Sequence, residues 1–239
     1  MKYQTLITAA GDSRAAFVEA GFDVPKSLVN IAGFALINQA IESYRHPSGA
    51  LVVAINKDEN AQFDLEHEIK QRFNDATVVE VASAVKGALA TAVLAAGTLD
   101  LDAPLVISAG DSIVEGGVAA HIQSLISNSS DAGTIVFESA NPRWSYINVG
   151  ESGNVLQVTE KLVAGPYATV GCFYFKSAGL FLEAAKWVFL NNARVKGNFF
   201  VSTSLNYLIS RGMSVGFEVI PRSSYRSFSR PADFLSQAE

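Results

Sequence analysis

The sequence predicts a mixed α/β sheet flanked by helices, parallel in its first half and more antiparallel in its second. Three observations carry this. Short apolar runs of strand length alternate with helix-spaced segments up to residue 137. Beyond that point three strand-like runs follow with little helix between them. The 239 residues are 49% hydrophobic and only 17% charged, enough to bury a full core.

The elements follow in order. Tyr3–Ala9 is a compact apolar run that ends in Ala10-Gly11-Asp12-Ser13-Arg14, a buried strand feeding a turn. A polar, irregular stretch holding Gly21, Pro25 and Lys26 leads to Gly33, after which Leu36, Ile37, Ala40, Ile41 and Tyr44 recur at helical spacing. Ala50–Ile55 predicts a second strand, Phe63–Phe73 a charged helix, and Thr77–Val81 a third strand. Gly87 introduces a small-residue helix over Ala88–Ala96, and Leu105–Ile107 re-enters the core as a strand ending at Gly110-Asp111. A helix at Val118–Ile126 and a strand at Gly133–Phe137 close this half. Tyr146–Val149, Val155–Thr159 and Ala168–Phe175 are then strands, with Gly150–Asn154 as a hairpin turn. Helices at Ala178–Leu190 and Val201–Ser210, a strand at Val215–Ile220 and a short terminal segment complete the chain, with no linker and no repeat.

Composition excludes several classes of function. With 18 Lys and Arg against 23 Asp and Glu the net charge is −5, which argues against a basic surface for nucleic acid or anionic lipid. The single cysteine, Cys172, rules out an intramolecular disulfide framework and a Cys-rich zinc site. The longest apolar run, Ala88–Gly97, is too short to span a bilayer, and Met1-Lys2-Tyr3-Gln4 lacks the anatomy of an export signal. A cytoplasmic protein is expected. His46, His67 and His121 show no metal-ligand spacing, and no nucleophile elbow supports a Ser-His-Asp arrangement.

What remains is a set of polar residues at strand ends, where open α/β sheets bind ligands. In the Gly11–Arg14 turn, backbone N–H groups and a guanidinium suit phosphate oxygens, although a tight turn with a solvated Arg is the commoner outcome. Pro25 fixes the backbone ahead of Lys26, a point charge of long reach. Asp111 ends an apolar strand and is placed either to hold Mg²⁺ against phosphates or to cap the next helix. Glu160-Lys161 ends another strand and pairs a hydroxyl acceptor with a phosphate-seeking ammonium, or forms an exposed ion pair.

Taken in order, Ala9–Arg14, Val24–Val29 with Gly33, Lys86–Ala92, Ala109–Asp111, Glu160-Lys161 and Thr169–Phe175 resemble the sugar-phosphate nucleotidyltransferases, the nucleoside-diphosphate-sugar pyrophosphorylases. The resemblance covers nearly the whole chain. It implies a single GT-A-like, Rossmann-type domain over residues 1–239, with 1–137 as the nucleotide-binding half and 138–239 as the acceptor side. It also implies transfer of NMP from an NTP to a sugar phosphate or similar small phosphorylated metabolite, with release of pyrophosphate. By motif position, Ala10, Gly11, Arg14 and Gly87 would meet the nucleotide. Arg14 and Lys26 would be catalytic through the phosphates, Asp111 would bind Mg²⁺, and Glu160, Lys161 and Gly171 would line the acceptor.

Three departures from the family pattern stand out. The first loop is one residue shorter than Gly-x-Gly-x-Arg and lacks its second glycine; Ser227 stands where many members carry a second metal-binding Asp; and no Gln precedes Gly87. The competing expectations are a nucleotide- or sugar-binding homologue without turnover and a GT-A glycosyltransferase, whose Asp-x-Asp spacing Asp100-Leu101-Asp102 matches. Oligomeric state is left open.

Overall fold

A computed structural model describes residues 2–11 and 13–235. Asp12 of the first turn lies outside the described residues.

The strands β1 (Gln4–Ala9), β4 (Leu51–Asn56), β5 (Thr77–Val81) and β6 (Leu105–Ala109) form a parallel block in the order β6-β1-β4-β5. Their apolar runs are continuous because both faces are covered. Leu6, Val52, Ala54, Leu105 and Ile107 enter one core, and Ile7, Val53, Ile55 and Val106 enter the other. The helices α2 (Leu36–Tyr44) and α4 (Leu65–Arg72) cover the second of these faces. The small side chains of α5 (Ala88–Ala95) let it lie close against the first.

The second half continues the same sheet. β11 (Tyr167–Phe175) runs antiparallel to β6 through its C-terminal half, and antiparallel to β9 (Ser145–Val149) through its first residues. Its other edge takes β8 (Ala132–Glu138). β10 (Val155–Glu160) pairs with β9 across the expected Gly150–Asn154 turn. The last long strand, β12 (Val215–Val219), lies parallel to β8, so the second half is mixed and not wholly antiparallel. The helix α6 (Ala119–Ser127) packs with β8 and β12, while α7 (Ala178–Leu190) and α8 (Val201–Ser210) cover the face shared with α5.

Three expectations need correction. The stretch from Ser13 to Gly33 carries regular structure: α1 (Arg14–Glu19), a 3₁₀ turn at Lys26–Leu28, and β2 (Asn30–Ile31), which forms a small hairpin with β3 (Phe34–Ala35). The hairpin turns on Ala32 and Gly33, both at positive φ (48° and 94°), the geometry that tight hairpins favour. Six residues are too few to show helical periodicity, so α1 is held by burial of Phe17 against Ile31, Leu36, Phe228 and Phe234 in a satellite core. The Phe63–Phe73 helix is really α3 (Lys57–Phe63) followed by α4, broken where Asp64 sits at φ 55°. Asn56 caps α3 by accepting from the N–H groups of Asp58 and Glu59. Finally, the terminal segment is structural. β13 (Tyr225–Ser227) pairs antiparallel with β7 (Ser112–Val114), directly after Asp111, and α9 (Pro231–Leu235) follows.

Candidate active site

β1 and β6 are neighbours in register, with Thr8 opposite Ala109, so the turns that leave their C-terminal ends emerge side by side. Between them opens a cavity of about 180 Å³, floored by Thr8–Gly11 and Ala109–Asp111 and walled by Lys26, Gly87 and Thr91. Gly110 is required here, since a Cβ would fall 2.8 Å from that of Ala9 and 2.9 Å from Ile37 Cδ1.

Lys26 and Asp111, 85 positions apart, meet at this cavity: Lys26 Nζ lies 2.6 Å from Asp111 Oδ2. Pro25, at φ −63°, turns the chain so that Lys26 begins the 3₁₀ turn and faces inward. Arg14 does not join them. Its guanidinium donates to the carbonyls of Phe22 (3.2 Å) and Asp23 (2.8 Å) and lies over the Phe63 ring, which ties down its own loop. Of Arg14, Lys26 and Asp111, all expected to act on the phosphates or their metal, the structure brings the last two together.

Gly87 lines the cavity at φ 96°, and the approach it permits is to its own chain. A Cβ would stand 2.2 Å from the Phe199 carbonyl oxygen. The N–H of Leu89 donates to that carbonyl, and the N–H of Phe199 donates to the carbonyl of Lys86, so Gly87 joins α5 to the segment leading into α8.

A second cavity of about 200 Å³ opens from the first, sharing Thr8, Ala88 and Ala109. It holds Glu160 and Gly171. The Glu160 side chain is only 4% exposed; it accepts hydrogen bonds from Ser145 Oγ and from Ser202 Oγ (2.8 Å), and Lys161 Nζ stands 3.7 Å away. Lys161 extends outward over the Phe200 ring. Gly171, at φ 78°, sits in a bulge where β11 leaves register with β8 between Thr169 and Phe173. The bulge falls between the stretches of β11 that pair with β9 and with β6, so the sheet edge opens where the cavity lies.

Sequence reasoning missed Arg143. It sits in the loop before β9, stacks on Trp144, donates to Ser227 Oγ (3.2 Å) and is held by both oxygens of Asp233 at 3.1 Å. Ser227 lies opposite Ser112, and the N–H of Phe228 donates to the Asp111 carbonyl. A guanidinium therefore stands beside the position where a second carboxylate was considered. Burial works to raise the Asp233 pKa, but hydrogen bonds from Arg230 and Arg143 outweigh it and hold the group below the usual carboxylate range. Burial and the Asp111 charge push the Tyr225 hydroxyl up, and burial pushes the Cys172 thiol up, so neither is an ionised nucleophile near neutrality. No local spacing points to Arg143, because the Ser227 and Asp233 side chains that its guanidinium meets lie 84 and 90 residues away.

Among the described residues no group of three or more His, Cys, Asp or Glu side chains is placed to hold a metal ion. Asp100 and Asp102 precede β6, at the end of the strand opposite the cavity. No described helix is long and apolar enough to cross a membrane.

A model of the nucleotidyl transferase family matches residues 21–214. No curated protein matches the sequence. Among solved structures, the nucleoside-diphosphate-sugar pyrophosphorylase from Vibrio cholerae RC9 superposes with a TM-score of 0.82 at 19% identity, over 98% of each chain. The inositol-1-phosphate CTP transferase from T. maritima does so with a TM-score of 0.70 at 15% identity, covering 97% of this chain and 91% of that one. At such identities the likeness establishes the fold, and it agrees with the Rossmann-like sheet expected from the sequence.

Proposed function

This chain belongs to the nucleotidyl transferase family, and from that premise we propose that it transfers NMP from an NTP to a sugar phosphate or similar small phosphorylated metabolite. An oxygen of the acceptor phosphate attacks the α-phosphorus, the bond to the β-phosphate oxygen breaks, and pyrophosphate leaves. The observation that carries this reading is the Lys26–Asp111 pair at a cavity that continues into the Glu160 cavity. It supports a reading in which Lys26 meets the phosphates and the adjoining recess takes the acceptor.

The chain's own groups have distinct parts. Lys26 neutralises charge that builds on the phosphates in the transition state, the contribution such transfers chiefly require. The backbone at Ala10 and Gly11 and the start of α5 at Gly87 border the nucleotide. Arg14, through its two carbonyl partners, keeps that loop in place. Glu160, Lys161 and Gly171 receive the acceptor. Mg²⁺ takes one or two protein carboxylates and completes its shell with substrate oxygens and water. Asp111, at the cavity floor, fits such a substrate-borne ion and would hold it; when bound, the ion supplies further neutralisation of phosphate charge. A supply of NTP and sugar phosphate supports a cytoplasmic location and a role in making activated sugars for polysaccharide assembly.

The test is pyrophosphate release across the four NTPs and a panel of sugar phosphates, with and without Mg²⁺. Release that needs both substrates supports the proposal. Tight NTP binding without release under every pairing favours the second reading, a binding homologue, which the engagement of Arg14 by its own loop motivates.

A further inference from the structure

The chemistry of the second cavity bears on what the acceptor is, an inference that rests on the transfer reading above. Among the described residues, its polar side chains gather in one corner. Glu160 already accepts from Ser145 and Ser202, whose single hydroxyl protons are thereby spent, and Thr8 Oγ1 donates to the Ser108 carbonyl. Strand alternation turns the Ser108 side chain to the opposite face, with Val106. The remaining side chains that line it are apolar, those of Ile107, Phe173, Phe200 and Val201 the largest of them. The corner can therefore accept hydrogens from a ligand, while the side chains of Ile107, Phe173, Phe200 and Val201 offer it no polar group; polar groups outside the corner are those of the backbone, Gly171 in its bulge among them, and Lys161 beside Phe200.

A fully hydroxylated hexose would set hydroxyls against the side chains of Phe173, Phe200 and Val201, which supply them no partner, and an unpaired buried hydroxyl is costly. We infer that the acceptor is a hydroxyl-poor phosphate of the deoxy-sugar type: one or two hydroxyls donate to Glu160, Ser145 and Ser202, and a deoxygenated carbon lies against Phe200, Val201 and Phe173. Glu160 supplies affinity through the hydroxyls it accepts, and the apolar wall supplies discrimination against the fully hydroxylated analogue.

The experiment compares glucose 1-phosphate with its 2-, 3-, 4- and 6-deoxy analogues, reading pyrophosphate release with each of the four NTPs. At least one deoxy analogue is expected to exceed the parent about tenfold in kcat/KM, the scale of one unpaired hydroxyl. Val201→Thr, which places a hydroxyl on the apolar wall, is expected to shrink that preference severalfold. A parent sugar that equals or exceeds every deoxy analogue overturns the inference and leaves the transfer reading standing. Release with no acceptor overturns the transfer reading instead; calorimetric binding of the same five phosphates then decides the inference, with the parent binding tightest overturning it.

Discussion

Replacing Gly87 with alanine sets a severe test of how the two halves of the cleft are joined. The residue sits at φ 96°, ψ 159°, a region that essentially only glycine occupies and that costs another residue about 1–3 kcal/mol. The added Cβ would also lie 2.2 Å from the Phe199 carbonyl oxygen and 2.7 Å from its nitrogen, both backbone atoms that no rotamer change can move. Relief requires the Phe199 segment to shift, weakening the Leu89-to-Phe199 and Phe199-to-Lys86 hydrogen bonds, each worth about 0.5–1.5 kcal/mol. Gly87→Ala should therefore lose about 3–5 kcal/mol in urea unfolding with an unchanged m-value. Gly171→Ala meets open space and bears only its φ of 78°, for a loss of about 1 kcal/mol. Gly97→Ala, with open space and no positive φ, should be neutral or slightly stabilising. A loss below about 1 kcal/mol for Gly87→Ala, or equality with Gly171→Ala, would refute the assigned clash.

Lys26→Met should lower kcat/KM by about 100-fold or more, as loss of a charge facing the transition state does, and cost about 1–3 kcal/mol of stability by leaving the largely buried Asp111 without its partner; pyrophosphate release and a thermal melt read the two effects, and a folded variant with kcat/KM unchanged would mark a structural lysine. Ser202→Ala removes a donor to buried Glu160 and should raise KM for the acceptor about tenfold with KM for the NTP little changed, whereas equal changes in both constants would remove Glu160 from the acceptor side. Asp233 has a depressed pKa in the folded state, so its contribution to stability is present above the ordinary carboxylate value of about 4 and is lost as pH falls through its folded value. The stability gap between wild type and Asp233→Asn should therefore be widest above about pH 5 and close in acid, and a gap independent of pH between 2 and 7 would contradict the Arg143–Asp233 linkage.

The parallel block was legible because Leu6-Ile7, Val52-Val53 and Val106-Ile107 face two cores at once, and continuous apolar runs record that directly. Lys26 and Asp111 were legible as strand-end and loop residues of the right chemistry, although their contact spans 85 positions. Arg14 shows the limit of such reasoning. Its residue type suits phosphate, but the carbonyls of Phe22 and Asp23 each take one of its donors and aim it at its own loop, and no local pattern announces which acceptor a guanidinium finds. α1, β13 and Arg143 stayed hidden for a related reason, since tertiary partners hold them and periodicity does not. Phe17 needs Phe234, β13 needs β7, and Arg143 needs Asp233.

The pairing of β13 with β7, the edge-on contact of Phe234 with Phe17 and the packing of Phe228 on Phe234 tie the end of the described chain to its beginning. The parallel block is completed by residue 109, but the loop bearing Lys26 rests on aromatic residues some two hundred positions further along the chain. The Lys26 loop therefore takes its folded position only once residues 225–234 are in place against β7 and Phe17.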